Sequence, residues 1–146
     1  MKITLCGSAG FIDDMEQLAH ELESLGHEVK LPPVSVIDKN GKEFHTRDYY
    51  KLKKTMPTNP AFWREHTQRI RNHMDKIAGA EAVLVTNYDK NGIKSYIGPN
   101  TLMEMGIAFY LHKKIFLLNP IPEVAWKEEI LGMQPVVLKG DFKLIA

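Results

Sequence analysis

One carboxylate stands in an otherwise apolar helical stretch. Glu104 is flanked by Met103 and Met105 and followed by Ile107, Ala108 and Phe109. An apolar run, Ala82 to Val85, precedes a polar loop containing glycine, and Pro99-Asn100-Thr101 then opens the helix. Two chemistries fit this acid. In one, Thr101 and Glu104 form a capping box that satisfies free backbone N–H groups at the helix start. The positive end of the helix dipole would then favour the charge and keep it ionised. In the other, Glu104 is a nucleophile exposed in the ligand crevice that forms at the carboxyl ends of parallel strands. The residues alone leave both open.

Histidine supplies the second candidate group. His66 and His73 fall on one flank of a helix read from Pro60 to Ala78. Two turns put them about 10 Å apart, too far to share one metal ion. Each is readable as a partly buried histidine with one hydrogen bond. His73 could instead point into the crevice. Cys6 is the only cysteine, which excludes an internal disulfide and a cysteine-based metal cluster. It lies in an apolar strand and reads as an inert core thiol. No metal site is read from the sequence.

The elements that must position these groups alternate. Lys2 to Cys6 reads as a strand, and Gly7-Ser8-Ala9-Gly10 as a tight turn. A helix to about Leu25 follows, with Ile12, Met15, Leu18, Ala19, Leu22 and Leu25 on one stripe. Asp13 and Asp14 suit its first turn and Gly26 its C-terminal cap. Further strands are read at Glu28 to Leu31, Ala82 to Thr86, Lys114 to Leu118 and Pro135 to Leu138. Helices are read from Asn100 to His112 and from Glu123 to Leu131, the latter turning Val124, Trp126 and Ile130 inward. The fold class is therefore α/β: a flavodoxin- or Rossmann-like three-layer sandwich on a five-stranded parallel sheet of order 2-1-3-4-5, with right-handed crossovers. In that order the switch point lies between the first and third strands, beside Glu104.

The chain reads as one domain, 1–146, with a long insertion around 32–59. The insertion holds His45, Arg47, Tyr49, Tyr50, Lys51, Lys53 and Lys54, with Asn40-Gly41 as a turn and a short helix over Thr46 to Lys54. It reads either as a lid, mobile over Lys39 to Asn59 until Tyr49 or Tyr50 closes on a ligand, or as a solvated excursion. A net charge of +1 favours neither nucleic acid nor a membrane surface. No signal region or membrane-length apolar run is read, so the cytoplasm is the expected compartment.

Four segments carry a resemblance: GS after the first strand, AEAVLVTN, YIGPNTLMEMGIA and KIFLLN. Together they are similar to the nucleoside 2-deoxyribosyltransferase superfamily, which includes deoxynucleoside 5'-monophosphate N-glycosidases. The most telling motif is Glu104-Met105-Gly106-Ile107-Ala108. The resemblance implies that Glu104 attacks the sugar C1' and passes the sugar to a base or to water, the retaining logic of glycoside hydrolysis. Where relatives place a second acid, this chain has His73, which could protonate the leaving base. Where relatives carry Asp or Ser, six residues before the nucleophile, it has Gly98. Asn87, Asp89 or Tyr96 could substitute there. Gly7, Ser8 and Phe11 would form the crevice with Glu104, Phe11 stacking on a base, while N–H groups near Gly98, Asn100 and Thr101 would meet a sugar hydroxyl or phosphate.

The implied ligand is a small nucleoside or nucleotide, with no cofactor. The implied assembly is a homo-oligomer, using exposed aromatics around Phe62, Trp63 and Tyr110. A protein that binds nucleosides or nucleotides without catalysis is the alternative.

Overall fold

The computed structural model describes residues 1–55 and 58–146. Strand β1 (Lys2–Cys6) leads through a 3-10 turn, Ala9–Phe11, into helix α1 (Ile12–Ser24). Strand β2 (Glu28–Lys30) follows. The insertion holds strands β3 (Ser35–Ile37) and β4 (Glu43–His45), helix α2 (Thr46–Lys51) and a 3-10 turn, Leu52–Thr55. Then come α3 (Pro60–Ala78), β5 (Ala82–Val85), α4 (Pro99–Tyr110), β6 (Lys114–Leu117), α5 (Lys127–Gly132) and β7 (Val136–Val137).

The main sheet has five parallel strands in the order β2-β1-β5-β6-β7. Counting main-sheet strands alone, this is the expected 2-1-3-4-5. Its cause is visible in β5, where Ala82, Val83, Leu84 and Val85 are all buried. A strand covered on both faces needs apolar residues on both. Ile3, Leu5, Ala82 and Leu84 pack with α1 on one face, whereas Cys6, Val83 and Val85 pack with Ile77 of α3, Met105 and Ala108 of α4 and Ile130 of α5 on the other. Three layers result.

Several local expectations are corrected. Leu25 is 57% exposed, because α1 ends at Ser24 and Gly26 takes the left-handed turn at φ 90°. His112 lies beyond the end of α4, at φ 56°, so it does not serve the helix dipole from the last turn. Helix α5 begins at Lys127, four residues later than expected. On α3 the residue turned inward near the start is Phe62, 6% exposed, rather than Trp63 at 37%.

The insertion was not read as containing strands, yet β3 and β4 pair antiparallel around the Asn40-Gly41 turn. Each is only three residues long, too short to show alternation. The expected short helix stops at Lys51. Val36, Tyr49 and Phe62 form a small core of their own, with Tyr49 stacked on Phe62 at 5.6 Å between ring centroids. Asp13 of α1 holds the insertion from outside, its carboxylate 3.0 Å from His45 Nε2 and 2.9 Å from Arg47 Nη2. The lid expectation over Lys39 to Asn59 includes Met56 and Pro57, which lie outside the described residues.

Candidate active site

The main sheet reverses its strand order between β1 and β5, and both strands end beside α4. Helix α4 starts at Pro99, whose missing N–H is harmless in a first turn. Gly98 is therefore the N-cap, and no side chain caps the helix. Thr101 becomes the third helical residue and Glu104 the sixth, so the capping box is absent. Glu104 is more than a turn inside α4, where the dipole does little for it.

The Glu104 side chain is buried, with 7% of the residue exposed, which corrects the expectation of an exposed carboxylate. Its Oε1 accepts a hydrogen bond from Asn100 Nδ2 at 3.3 Å. Its Oε2 is buried and has no hydrogen-bond partner among the described residues. Helix α3 packs on α4 from the same side of the sheet and delivers His73, whose Nε2 lies 3.8 Å from Glu104 Oε1. Cys6, at the end of β1, completes the cluster with Sγ 3.7 Å from His73 Nε2.

Burial sets the protonation here. It pushes the Glu104 carboxyl up to about 8, and the facing Cys6 thiol pulls it only partly back. It pushes His73 down to about 4, helped by the charge on Lys76 and opposed by the Leu5 backbone. The Cys6 thiol is raised by burial and then by Glu104. Near neutral pH the carboxyl keeps its proton and the imidazole is uncharged. The 3.8 Å contact is thus a neutral pair rather than an ion pair. This overturns the expectation that the helix start keeps Glu104 ionised, because desolvation outweighs a dipole that acts mainly within the first turn.

The remaining candidates separate into groups. Ser8 Oγ accepts from Lys90 Nζ at 2.5 Å. The same ammonium lies 5.8 Å from the centre of the Tyr96 ring. That ring covers Gly98, where an added Cβ would meet it at 3.0 Å. Gly7 is a point of closest approach, since a Cβ there would lie 2.2 Å from Thr86 Oγ1. Phe11 is buried in the core on the α1 face, edge-on to Tyr88 at 5.2 Å, with its ring centre 6.0 Å from Lys90 Nζ. Asn87 is fully buried and its amide is committed, Nδ2 donating to the carbonyls of Asn119 and Pro120 and Oδ1 accepting from the Asn119 N–H. Thr101 is buried and Asn100 is exposed on the first turn of α4.

Sequence reasoning passed over two residues. Lys90 was one cation among several in a loop. Cys6 was read as inert, although its place at the end of a central strand is a signal for the crevice. From the insertion, Tyr50 has its hydroxyl raised by burial and, in smaller part, by the charge of Glu104, and Lys53 is lowered by burial and by Lys90. Lys53 Nζ sits 4.3 Å over the Tyr50 ring. Tyr50 and Lys53 of the insertion thus lie within electrostatic reach of Glu104 and Lys90, respectively. An open depression of about 340 Å³ elsewhere, between Ile37 and Arg69, includes none of these groups.

No protein-family model matches the chain, and no curated protein matches it in sequence. Among solved structures, a 2-deoxyribosyltransferase from the psychrotolerant bacterium Bacillus psychrosaccharolyticus is similar at 20% identity and a TM-score of 0.48, over 85% of this chain and 76% of that one. A Clostridium botulinum CMP N-glycosidase is similar at 18% identity and a TM-score of 0.49, over 94% of this chain and 85% of that one. No helix among the described residues is long and apolar enough to cross a membrane.

Proposed function

We propose that this protein cleaves or transfers at the N-glycosidic bond of a nucleoside or nucleoside 5'-monophosphate, with Glu104 as nucleophile and His73 as the proton carrier. The observation that supports it most is the buried pair itself, Glu104 Oε1 and His73 Nε2 at 3.8 Å, at the switch point of the sheet. The motif around Glu104 supports it independently.

The pair holds one proton at neutral pH. Moved from the carboxyl to His73 Nε2, that proton leaves a carboxylate able to attack C1' and an imidazolium able to protonate the departing base nitrogen. The C1'–N bond breaks as the ester bond to Glu104 forms. His73, neutral again, then takes the proton of an incoming water or acceptor base that attacks C1' and releases Glu104. Configuration is retained by the two displacements.

In this reading Lys90 and Lys53 meet a 5'-phosphate, and Tyr50 covers the sugar or base as part of a lid. A homo-oligomer remains part of this reading. Phe62 is buried and not available to it, but Phe109 and Tyr110 are 53% and 77% exposed at the end of α4.

The test is incubation with deoxynucleosides and their 5'-monophosphates, followed by measurement of free base. Release of base that Glu104→Gln abolishes is expected. A binding protein without catalysis is the second reading, favoured by a carboxyl that is buried and protonated at rest. Nucleotide binding with no base released would select it.

A further inference from the structure

Cys6, His73 and Glu104 come from three elements, β1, α3 and α4, and each turns one donor atom to the same point. Sγ, Nε2 and a carboxylate oxygen all lie within 4.8 Å of one another. We propose that these three side chains form a site for a zinc-class divalent cation, and that its occupation withdraws Glu104 from glycosidic chemistry. The second clause rests on the function proposed above; the first does not.

Three observations carry the site. Zinc bonds of about 2.3 Å to sulfur and about 2.0 Å to nitrogen or oxygen, at tetrahedral angles, put S and N about 3.5 Å apart and N and O about 3.4 Å apart. The distances here are 3.7 Å between Sγ and Nε2 and 3.8 Å between Nε2 and Oε1, each a few tenths of an ångström longer, and the third separation, between Sγ and the carboxylate oxygen, is within 4.8 Å. Glu104 is more than nine-tenths buried at 7% exposure, yet its Oε2 has no hydrogen-bond partner among the described residues. Buried polar atoms are normally satisfied, and a cation would satisfy this one. Finally, a thiolate and a carboxylate with a neutral imidazole cancel the charge of a dication, as a buried site requires.

The donor set also selects the metal. Sulfur and imidazole favour zinc and its neighbours over the hard cations magnesium and calcium, which take oxygen ligands. Three protein ligands leave the fourth position to water. Binding would release the thiol and carboxyl protons.

Cobalt(II) is the probe, because thiolate coordination gives a near-ultraviolet charge-transfer band. Cys6 is the only cysteine, so the band reports one sulfur and exposed histidines cannot produce it. Titration of the reduced protein should give the band at one cobalt per chain, removed by zinc. His73→Gln and Glu104→Gln should each weaken cobalt binding by at least about tenfold, and Cys6→Ser should abolish the band while circular dichroism stays native. If Cys6→Ser does not fold, the wild-type band alone decides. No band with folded wild type, or a band unchanged in both other variants, overturns the site. Stoichiometric zinc should also stop base release, and full activity in zinc-loaded protein overturns the second clause. A wild type that shows the band but never releases base sinks the proposed function and leaves the metal site standing.

Discussion

His73 and Glu104 share a single proton between pH about 4 and about 8, the values that burial imposes on the imidazole and the carboxyl. Below that window both are protonated, and above it neither is. Burial is the first cause of both shifts, upward for the carboxyl and downward for the imidazole, and the window lies between them.

A bell-shaped pH dependence of kcat/KM follows. The acid limb should fall near pH 4 and the alkaline limb near pH 8, because only the singly protonated pair can supply both a carboxylate and an imidazolium. Initial rates of base release across pH 3.5–9.5 check this. A rate that climbs through pH 8 and stays high would mean that His73 delivers no proton.

Glu104→Gln should lower the rate by orders of magnitude and raise stability. The sign comes from the direction of the shift. An acid whose folded value is raised from 4.5 to about 8 is harder to ionise in the native state, so stability is lost as pH rises from 4.5 through about 8. Glutamine escapes that cost. Urea denaturation should show a gain on the order of a few kcal/mol above pH 8 and little difference below pH 4.5. A loss of stability at high pH would speak for an ionised, hydrogen-bonded Glu104.

Asn87→Ala should act on the fold. Three hydrogen bonds to the Asn119–Pro120 backbone disappear, and the half-buried Asn119 N–H loses its acceptor. A loss of about 2–3 kcal/mol is expected, with KM nearly unchanged in the protein that remains folded. Unchanged stability with a KM raised tenfold would place Asn87 on the substrate instead.

Gly7→Ala tests the closest approach of β1 to the next strand. The new methyl would meet Thr86 Oγ1 at 2.2 Å and Met15 Cε at 2.7 Å. Overpacking of this kind costs about 1–3 kcal/mol. Thr86→Ala in the same chain should recover part of it, a coupling that a double-mutant cycle measures. Additive losses would show that Met15, rather than Thr86, takes the strain.

The main-sheet order was legible because Ile3 to Cys6, Ala82 to Val85 and Ile115 to Leu117 are continuous apolar runs, which only a doubly covered sheet demands. The position of Glu104 at the switch point followed from that order. Its protonation did not, because burial of the carboxyl outweighs the helix dipole, and the start of α4 was misjudged as well. Proline at the first helical position moves the cap back to Gly98, and the rest of the error follows from those few residues. Cys6 was hidden for a different reason. In a buried strand every residue looks like core, and only the three-dimensional approach of α3 and α4 shows which side chain meets a histidine and an acid.

Helix α3 spans two distant tasks. Phe62, near its start, closes the small aromatic core of the insertion, and His73 lies eleven residues on, about 16 Å along the axis. A rigid rod therefore joins the seat of the insertion to the proton carrier. Residues 39–43 at the hairpin tip are exposed, so substitutions there leave the rod in place. Tyr49 and Phe62 have no such latitude: a change that unseats them tilts the rod, and a tilt of a few degrees at one end is an ångström of misplacement at the other.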